Sequence, residues 1–216
     1  MDFSTELVYY KKIISYINEN DISSLDKLFL SIDGDEEKPY LLEFAMREAI
    51  SCRKYDILEH LIENGGNVNA RVYFGTTPLA YFAKRNNFEM VNKMIINYGS
   101  DVNITSGEGN SALMFAVWNE NIDMINFLIE RGINVNLANK RKLTPLMAAT
   151  IKENISIVKI LLNNGADVNM TDIGNYNALR YAIERNNETL IAILKEHGSE
   201  VIERKSIFQT KINFEL

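Results

Sequence analysis

Residues 143–169, LTPLMAATIKENISIVKILLNNGADVN, decide how this chain folds. Thr144 followed by Pro145 is a helix start: the hydroxyl can accept from a free amide of the first turn, and proline's fixed φ suits the first helical position. Val158, Leu161 and Leu162 then recur at the spacing of one helical face. Gly165 ends that second helix, because glycine tolerates the positive φ that closes a helix C-terminus. The stretch therefore encodes two short helices and a turn rich in Asn and Asp, a unit too small to bury its own apolar face.

The same unit recurs along the chain. Thr77-Pro78-Leu79, Ser111-Ala112-Leu113, Thr144-Pro145-Leu146 and Asn177-Ala178-Leu179 place their leucines at intervals of 34, 33 and 33 residues, and the frame extends back to Met46 and Ile13. Second-helix faces repeat as Leu25/Leu28/Phe29, Leu58/Leu61/Ile62, Val91/Met94/Ile95, Ile125/Leu128/Ile129, Val158/Leu161/Leu162 and Ile191/Leu194. The internal ones meet Gly65, Gly99, Gly132, Gly165 and Gly198, while Ala49, Ala116, Ala149 and Ala182 let first helices approach closely. The single 34-residue interval puts one extra residue near Ile95 to Tyr98, where a local bulge is expected.

Gly75-Thr-Thr-Pro-Leu79, Leu143-Thr-Pro-Leu-Met-Ala-Ala149, Gly99-Ser-Asp-Val-Asn103, Gly132-Ile-Asn-Val-Asn136 and Asn164-Gly-Ala-Asp-Val-Asn169 together resemble the ankyrin repeat, closely over residues 39–202 and more weakly before them. The resemblance implies an all-α repeat solenoid of stacked helix-turn-helix units with β-hairpin-like tips, binding proteins on a concave face built from tips and inner helices. The family's usual histidine after Thr-Pro-Leu is replaced by Ala80, Met114, Met147 and Arg180, so the imidazole network between repeats is missing.

The expected organisation is one solenoid domain. Residues 1–38 form a degenerate capping repeat with an acidic loop. Repeats follow at 39–71, 72–105 (with the insertion), 106–138 and 139–171, then a C-terminal capping repeat at 172–202 with Glu188 and Lys195 facing water, and a tail at 203–216 that docks or serves as an interaction segment.

Composition narrows the function. Of 216 residues, 46% are apolar and 24% charged, which excludes a wholly disordered chain. One cysteine and two histidines leave no disulfide and too few ligands for structural zinc. Asp2, Glu6, Lys11 and Lys12 interrupt what a secretory signal would need as an apolar run, and no stretch is long enough to span a bilayer. A cytoplasmic, monomeric scaffold-type protein without cofactor, metal or catalytic residues is expected. Gly107-Glu-Gly109-Asn-Ser-Ala112 matches a dinucleotide fingerprint but follows a polar tip rather than a buried strand. Asp33-Gly-Asp-Glu-Glu37 lacks EF-hand spacing and is read as a solvated loop. Cys52 and His60 fall on different helices with no orienting group, so Cys52 is expected to pack as a small hydrophobe.

What remains is a binding face. On the family's geometry its tips and inner-helix ends hold eight bases, Arg71, Lys84, Arg85, Lys140, Arg141, Lys142, Lys152 and Arg185, against three acids, Glu108, Asp172 and Glu184. The chain as a whole carries −6. Tyr73, Phe74, Trp118, Leu143, Ile151 and Tyr176 share the face, and aromatic and Arg side chains most often carry interface energy. An acidic protein or peptide is the expected partner. Nucleic acid or another polyanion ranks below it because the overall charge opposes it, and a purely structural spacer array is a third reading.

Overall fold

The computed structural model describes residues 3–32, 37–72 and 75–201. The described residues form twelve α-helices and no extended strand. The expected acidic loop at 33–36, Tyr73, Phe74 and the tail from 202 onward lie outside them. The chain divides into two compact units, Met1–Ile133 and Asn134–Leu216.

The first unit holds α1 (Phe3–Glu19), α2 (Ile22–Leu30), α3 (Lys38–Ser51), α4 (Tyr55–Glu63), α5 (Pro78–Lys84), α6 (Phe88–Ile96), α7 (Ala112–Trp118) and α8 (Ile122–Glu130). Consecutive helices pair as α1/α2, α3/α4, α5/α6 and α7/α8, and the first helix of one pair also packs on that of the next at α1/α3 and α5/α7. The second unit holds α9 (Pro145–Ile151), α10 (Ile155–Asn163), α11 (Ala178–Glu184) and α12 (Glu188–Glu196), with α9/α10 and α11/α12 paired and α9 against α11.

Local chemistry sets each helix start. Thr77, Ser111, Thr144 and Asn177 cap α5, α7, α9 and α11, their side chains accepting from the amides of Ala80, Met114, Met147 and Arg180. All four caps are buried. The second helices have a matching device, since Asp21, Asn87, Asn121, Asn154 and Asn187 accept from the amide three residues on. Each is preceded by a residue in the left-handed region, Asn20, Asn86, Glu120, Glu153 or Asn186, with φ between 53° and 60°. The cap amide then donates back to a first-helix carbonyl, as Asn121 does to Ala116 at 3.0 Å and Asn154 to Ala149 at 3.1 Å.

In α4 this device is incomplete. Lys54 stands at the cap position and forms no side-chain cap bond. Lys54→Asn is therefore expected to stabilise the fold by about 1 kcal/mol, a rise of roughly 2–4 °C in a thermal melt for a chain of this size. An unchanged or lower melting temperature would contradict the cap assignment.

Helix ends follow the glycines, all five of which have positive φ. The residue after each returns to the second helix: Gly66 donates to Leu61 O, Ile133 to Leu128 O, Ala166 to Leu161 O and Ser199 to Leu194 O, each five residues back. After Gly99 the bond spans six residues, from Ser100 N to Met94 O at 2.8 Å, so the extra residue of the long interval is accommodated at the end of α6. The widened end carries Tyr98, whose hydroxyl donates to Glu59 at 2.9 Å, with a Glu63 carboxylate oxygen 3.2 Å away, both on α4. Burial, then the Glu59 hydrogen bond, holds that phenol well above its ordinary pKa.

The apolar stripes form the core. Leu25, Leu58, Val91, Met94, Ile125 and Leu128 in the first unit, and Val158, Leu161 and Leu194 in the second, are fully buried. Ala49, Ala116, Ala149 and Ala182 are equally buried. Ile95, Ile129 and Ile191 are only half-buried, at the edge of their stripes. Glu188 and Lys195 are exposed on the last helix.

Candidate functional site

In the first unit, turns precede α5 and α7. One is closed from Val72 N to Thr76 O, and the other from Ser106 N to Asn110 O at 2.9 Å. They approach closely: a Cβ built on Gly75 would stand 3.4 Å from Gly107 Cα. Beside them lies an open groove of about 460 Å³ lined by Thr76, Lys84, Ser106, Gly107, Glu108, Asn110 and Phe115. Phe115, half-buried, is a lining residue missing from the expected set. It sits one turn before the end of a helix, where only the observed packing reveals which side it faces.

The first unit's expected binding residues behave differently from one another. Arg71 is exposed but its Nη1 donates to Gly75 O at 2.9 Å. Lys84 ends α5 and is exposed. Arg85 lies with its guanidinium 5.2 Å from the Tyr81 ring, a cation–π contact. Trp118 ends α7 with 37% of its surface accessible, while its neighbour Asn119 donates to Ala83 O at 2.9 Å and ties the ends of α7 and α5 together.

In the second unit the tip 139–143 is closed by Asn139 N to Leu143 O at 3.0 Å, and the tip 172–176 by Asp172 N to Tyr176 O at 3.0 Å. Lys140, Arg141 and Lys142 are exposed, and Leu143 and Ile151 are half-buried. Lys152, the C-cap of α9, is exposed. Tyr176 is half-buried, its ring 5.5 Å from that of Tyr181 and beneath the Arg180 guanidinium at 5.6 Å. Arg185 is exposed and stands 3.7 Å from Glu153.

The three acids expected on the binding face differ in their partners. Asp172 Oδ1 accepts from Gly174 N (2.8 Å) and Tyr176 N (2.9 Å), and its Oδ2 accepts from the Tyr181 hydroxyl at 2.5 Å. Burial, and next the Asp172 hydrogen bond, pushes the Tyr181 phenol well above its ordinary pKa. Glu184 lies 3.6 Å from Arg180. Glu108 is exposed on the rim of the first unit's groove.

Among the described residues no group of three or more His, Cys, Asp and Glu could hold a metal ion, and no described helix is long and apolar enough to cross a membrane. Cys52 is exposed, which corrects the expectation that it packs as a small hydrophobe. It is the C-cap of α3, beyond the helix's buried stripe, with Sγ 3.5 Å from Asn18 Oδ1. His60 instead meets Asp26 at 2.6 Å and Asn64 at 3.3 Å. The thiol and the imidazole thus have separate partners.

Comparison with known proteins gives a consistent picture. A family model described as ankyrin repeats (three copies) matches residues 46–139 and 132–205. The chain is similar to a putative ankyrin repeat protein of fowlpox virus, 39% identical over 85 residues, which is 39% of this chain and 13% of that protein. It is also similar to a putative ankyrin repeat protein of Rickettsia bellii, 29% identical over 113 residues, 52% of this chain and 60% of the relative. A third relative is alpha-latrocrustotoxin-Lt1a of Latrodectus tredecimguttatus, 32% identical over 84 residues, 39% of this chain and 6% of the toxin. In each case the match covers less than two thirds of the relative's length.

Proposed function

The chain belongs to the ankyrin-repeat family, and from that premise we propose that it is a non-catalytic protein-interaction module whose basic, aromatic face receives an acidic protein or peptide surface. Ankyrin repeats are generally protein-interaction modules, and the family is typically non-enzymatic. The character of the partner and the residues that meet it are the proposal.

One observation carries it. In a chain of net charge −6, the first unit exposes Arg71, Lys84 and Arg85 at its tips and inner-helix ends, and the second exposes Lys140, Arg141, Lys142, Lys152 and Arg185. Of the three acids in the same set, Asp172 has both carboxylate oxygens hydrogen-bonded within its own tip and helix. Positive potential on an otherwise acidic body raises the encounter rate of an acidic partner and orients it. In the first unit Trp118 supplies exposed apolar area, and in the second Ile151 and Tyr176 are half-buried apolar groups of the same proposed set.

Affinity capture with the whole chain provides the test. Trp118→Ala combined with Arg141→Glu is expected to lose the partners that wild type retains. Because only 37% of Trp118 is accessible, its truncation also lowers the melting temperature, and a thermal melt establishes that the variant is folded at the temperature of capture. Retention of the same partners by the double variant would remove this face from consideration. Binding should also weaken steeply as salt rises, since the attraction between exposed charges is screened.

A further inference from the structure

We propose that the tip at residues 139–143 is the primary recognition element of this face, and that it takes a protein segment with closely spaced carboxylates beside an aliphatic or aromatic side chain. The inference rests on the protein-binding reading above and names the partner's chemistry within it.

Three cations stand in succession on this tip. Lys140, Arg141 and Lys142 are exposed, and none forms an ion pair with another described residue. Elsewhere on the face the arginines already have intramolecular contacts, Arg71 with Gly75 O, Arg85 with the Tyr81 ring and Arg185 with Glu153. An incoming carboxylate must displace those contacts, whereas the side chains of Lys140, Arg141 and Lys142 have no ion pair within the described residues to give up.

The tip is also held in shape. Asn139 Oδ1 accepts from Arg141 N (2.9 Å) and Leu143 N (3.0 Å), and Lys142, at φ +56°, donates its amide to Asn139 O at 2.7 Å. The backbone under the cations is thereby ordered before binding, which lowers the entropic cost of association.

An apolar contact lies next to the charges. Ile173 N donates to Arg141 O at 3.1 Å, fastening the following tip to the basic one, and the Ile173 side chain is 63% exposed. Its neighbour Asp172 has its carboxylate oxygens engaged by Gly174 N, Tyr176 N and the Tyr181 hydroxyl, so it offers the cations of the tip no direct ion pair. Cations flanking an exposed isoleucine fit a segment whose carboxylates meet Lys140, Arg141 and Lys142 while an apolar residue covers Ile173. A nucleic acid is disfavoured because the nearby rings, Tyr176 and Tyr181, pack on each other and leave no open track for stacking bases.

Fluorescence anisotropy on the full chain tests this, with a labelled peptide of five glutamates followed by Leu-Phe as probe, and the same peptide with glutamines as control. Lys140→Glu/Arg141→Glu should weaken binding about tenfold or more, and the neutral pair Lys140→Gln/Arg141→Gln by less, as loss of charge-assisted contacts requires. Ile173→Ser should weaken it several-fold, and Lys84→Glu/Arg85→Glu on the first unit by no more than about twofold. Circular-dichroism melts establish that each variant folds. If the first-unit pair loses affinity while the 140/141 pairs do not, this inference fails and the broader reading stands. If the glutamine peptide binds as tightly as the glutamate one, both fail. Displacement of the peptide by a single-stranded DNA oligomer at lower concentration would overturn the inference in favour of a general polyanion site.

Discussion

Phe82→Ala is expected to destabilise the protein by about 3–5 kcal/mol, the range for deleting a fully buried aromatic side chain. Phe82 is entirely buried in α5 and heads the fully buried side chains by volume. Its ring stands edge-on to Tyr55 at 5.0 Å and 82°, and to Tyr81 at 5.2 Å and 81°. Tyr55 opens α4, so this ring joins the second helix pair to the third. A single repeat cannot bury its apolar face, and stability in such arrays resides largely in the contacts between neighbours. The substitution thus removes a contact that couples units as well as volume within one. Urea titration followed by helical signal should show the transition midpoint falling steeply, or the single transition splitting in two. Phe82→Leu, which retains most of the volume, should fall between the two. A midpoint within error of wild type would show that the cluster does not couple the pairs.

Asn177→Ala is expected to cost about 2–3 kcal/mol, more than the roughly 1 kcal/mol typical of losing a helix cap alone. The reason is the second function of its amide. Oδ1 caps α11 by accepting from Arg180 N at 2.9 Å, and Nδ2 donates to Glu200 O at 2.8 Å, with Ser199 Oγ at 3.4 Å. Ser199 Oγ in turn donates to Val168 O at 3.2 Å. The side chain is fully buried, so its removal leaves orphaned groups that water does not readily reach. Asn177→Thr separates the two functions, because threonine restores the cap but cannot reach Glu200. It should recover about half of the loss in a thermal melt. Hydrogen exchange should show the residual defect as faster exchange at Ser199 and Glu200, whose amides donate to Leu194 O and Asn169 Oδ1. Equal melting temperatures for the Ala and Thr variants would contradict the bridging function.

The parts of the fold legible in the sequence are those set by local chemistry. Thr77, Ser111, Thr144 and Asn177 announce helix starts because an oxygen must accept a first-turn amide, and the glycines announce stops because the chain must reach positive φ. The left-handed residues between paired helices were less legible. Asn86 and Asn186 suit that conformation, but Arg53, Glu120 and Glu153 adopt it with side chains that do not favour it. There the conformation is stabilised by the return hydrogen bond of the next residue, such as Lys54 N to Ala49 O at 2.8 Å. That bond exists only once both helices are formed.

The candidate site was legible as a set of positions and not as a set of interactions. The repeat frame places Arg71, Arg85 and Arg185 on tips and helix ends, but each meets an internal partner that residue type does not announce. For Arg185 that partner is Glu153, in the preceding helix pair. Asp172 reads in sequence as an unfavourable acid on a basic face, yet its oxygens are held by two amides and a tyrosine hydroxyl. Ile173 carries no binding signal in the sequence, because an aliphatic residue beside Gly174 in a turn has no chemistry that marks it. Its relevance depends on the bond from its amide to Arg141 O, which pairs residues in successive tips.

Mapping the partner's footprint by amide hydrogen exchange tests the binding face most directly. With a captured acidic partner added to the full chain, slowed exchange is expected in the tips at 105–110, 139–143 and 172–176, with little change in the second helices at 88–96, 122–130, 155–163 and 188–196. Arg141→Glu should abolish the slowing at 139–143 while leaving exchange in the free protein unaltered elsewhere. Protection confined to the second helices, with the tips exchanging as they do alone, would place the partner away from the tips and contradict the basic tips as the site of recognition.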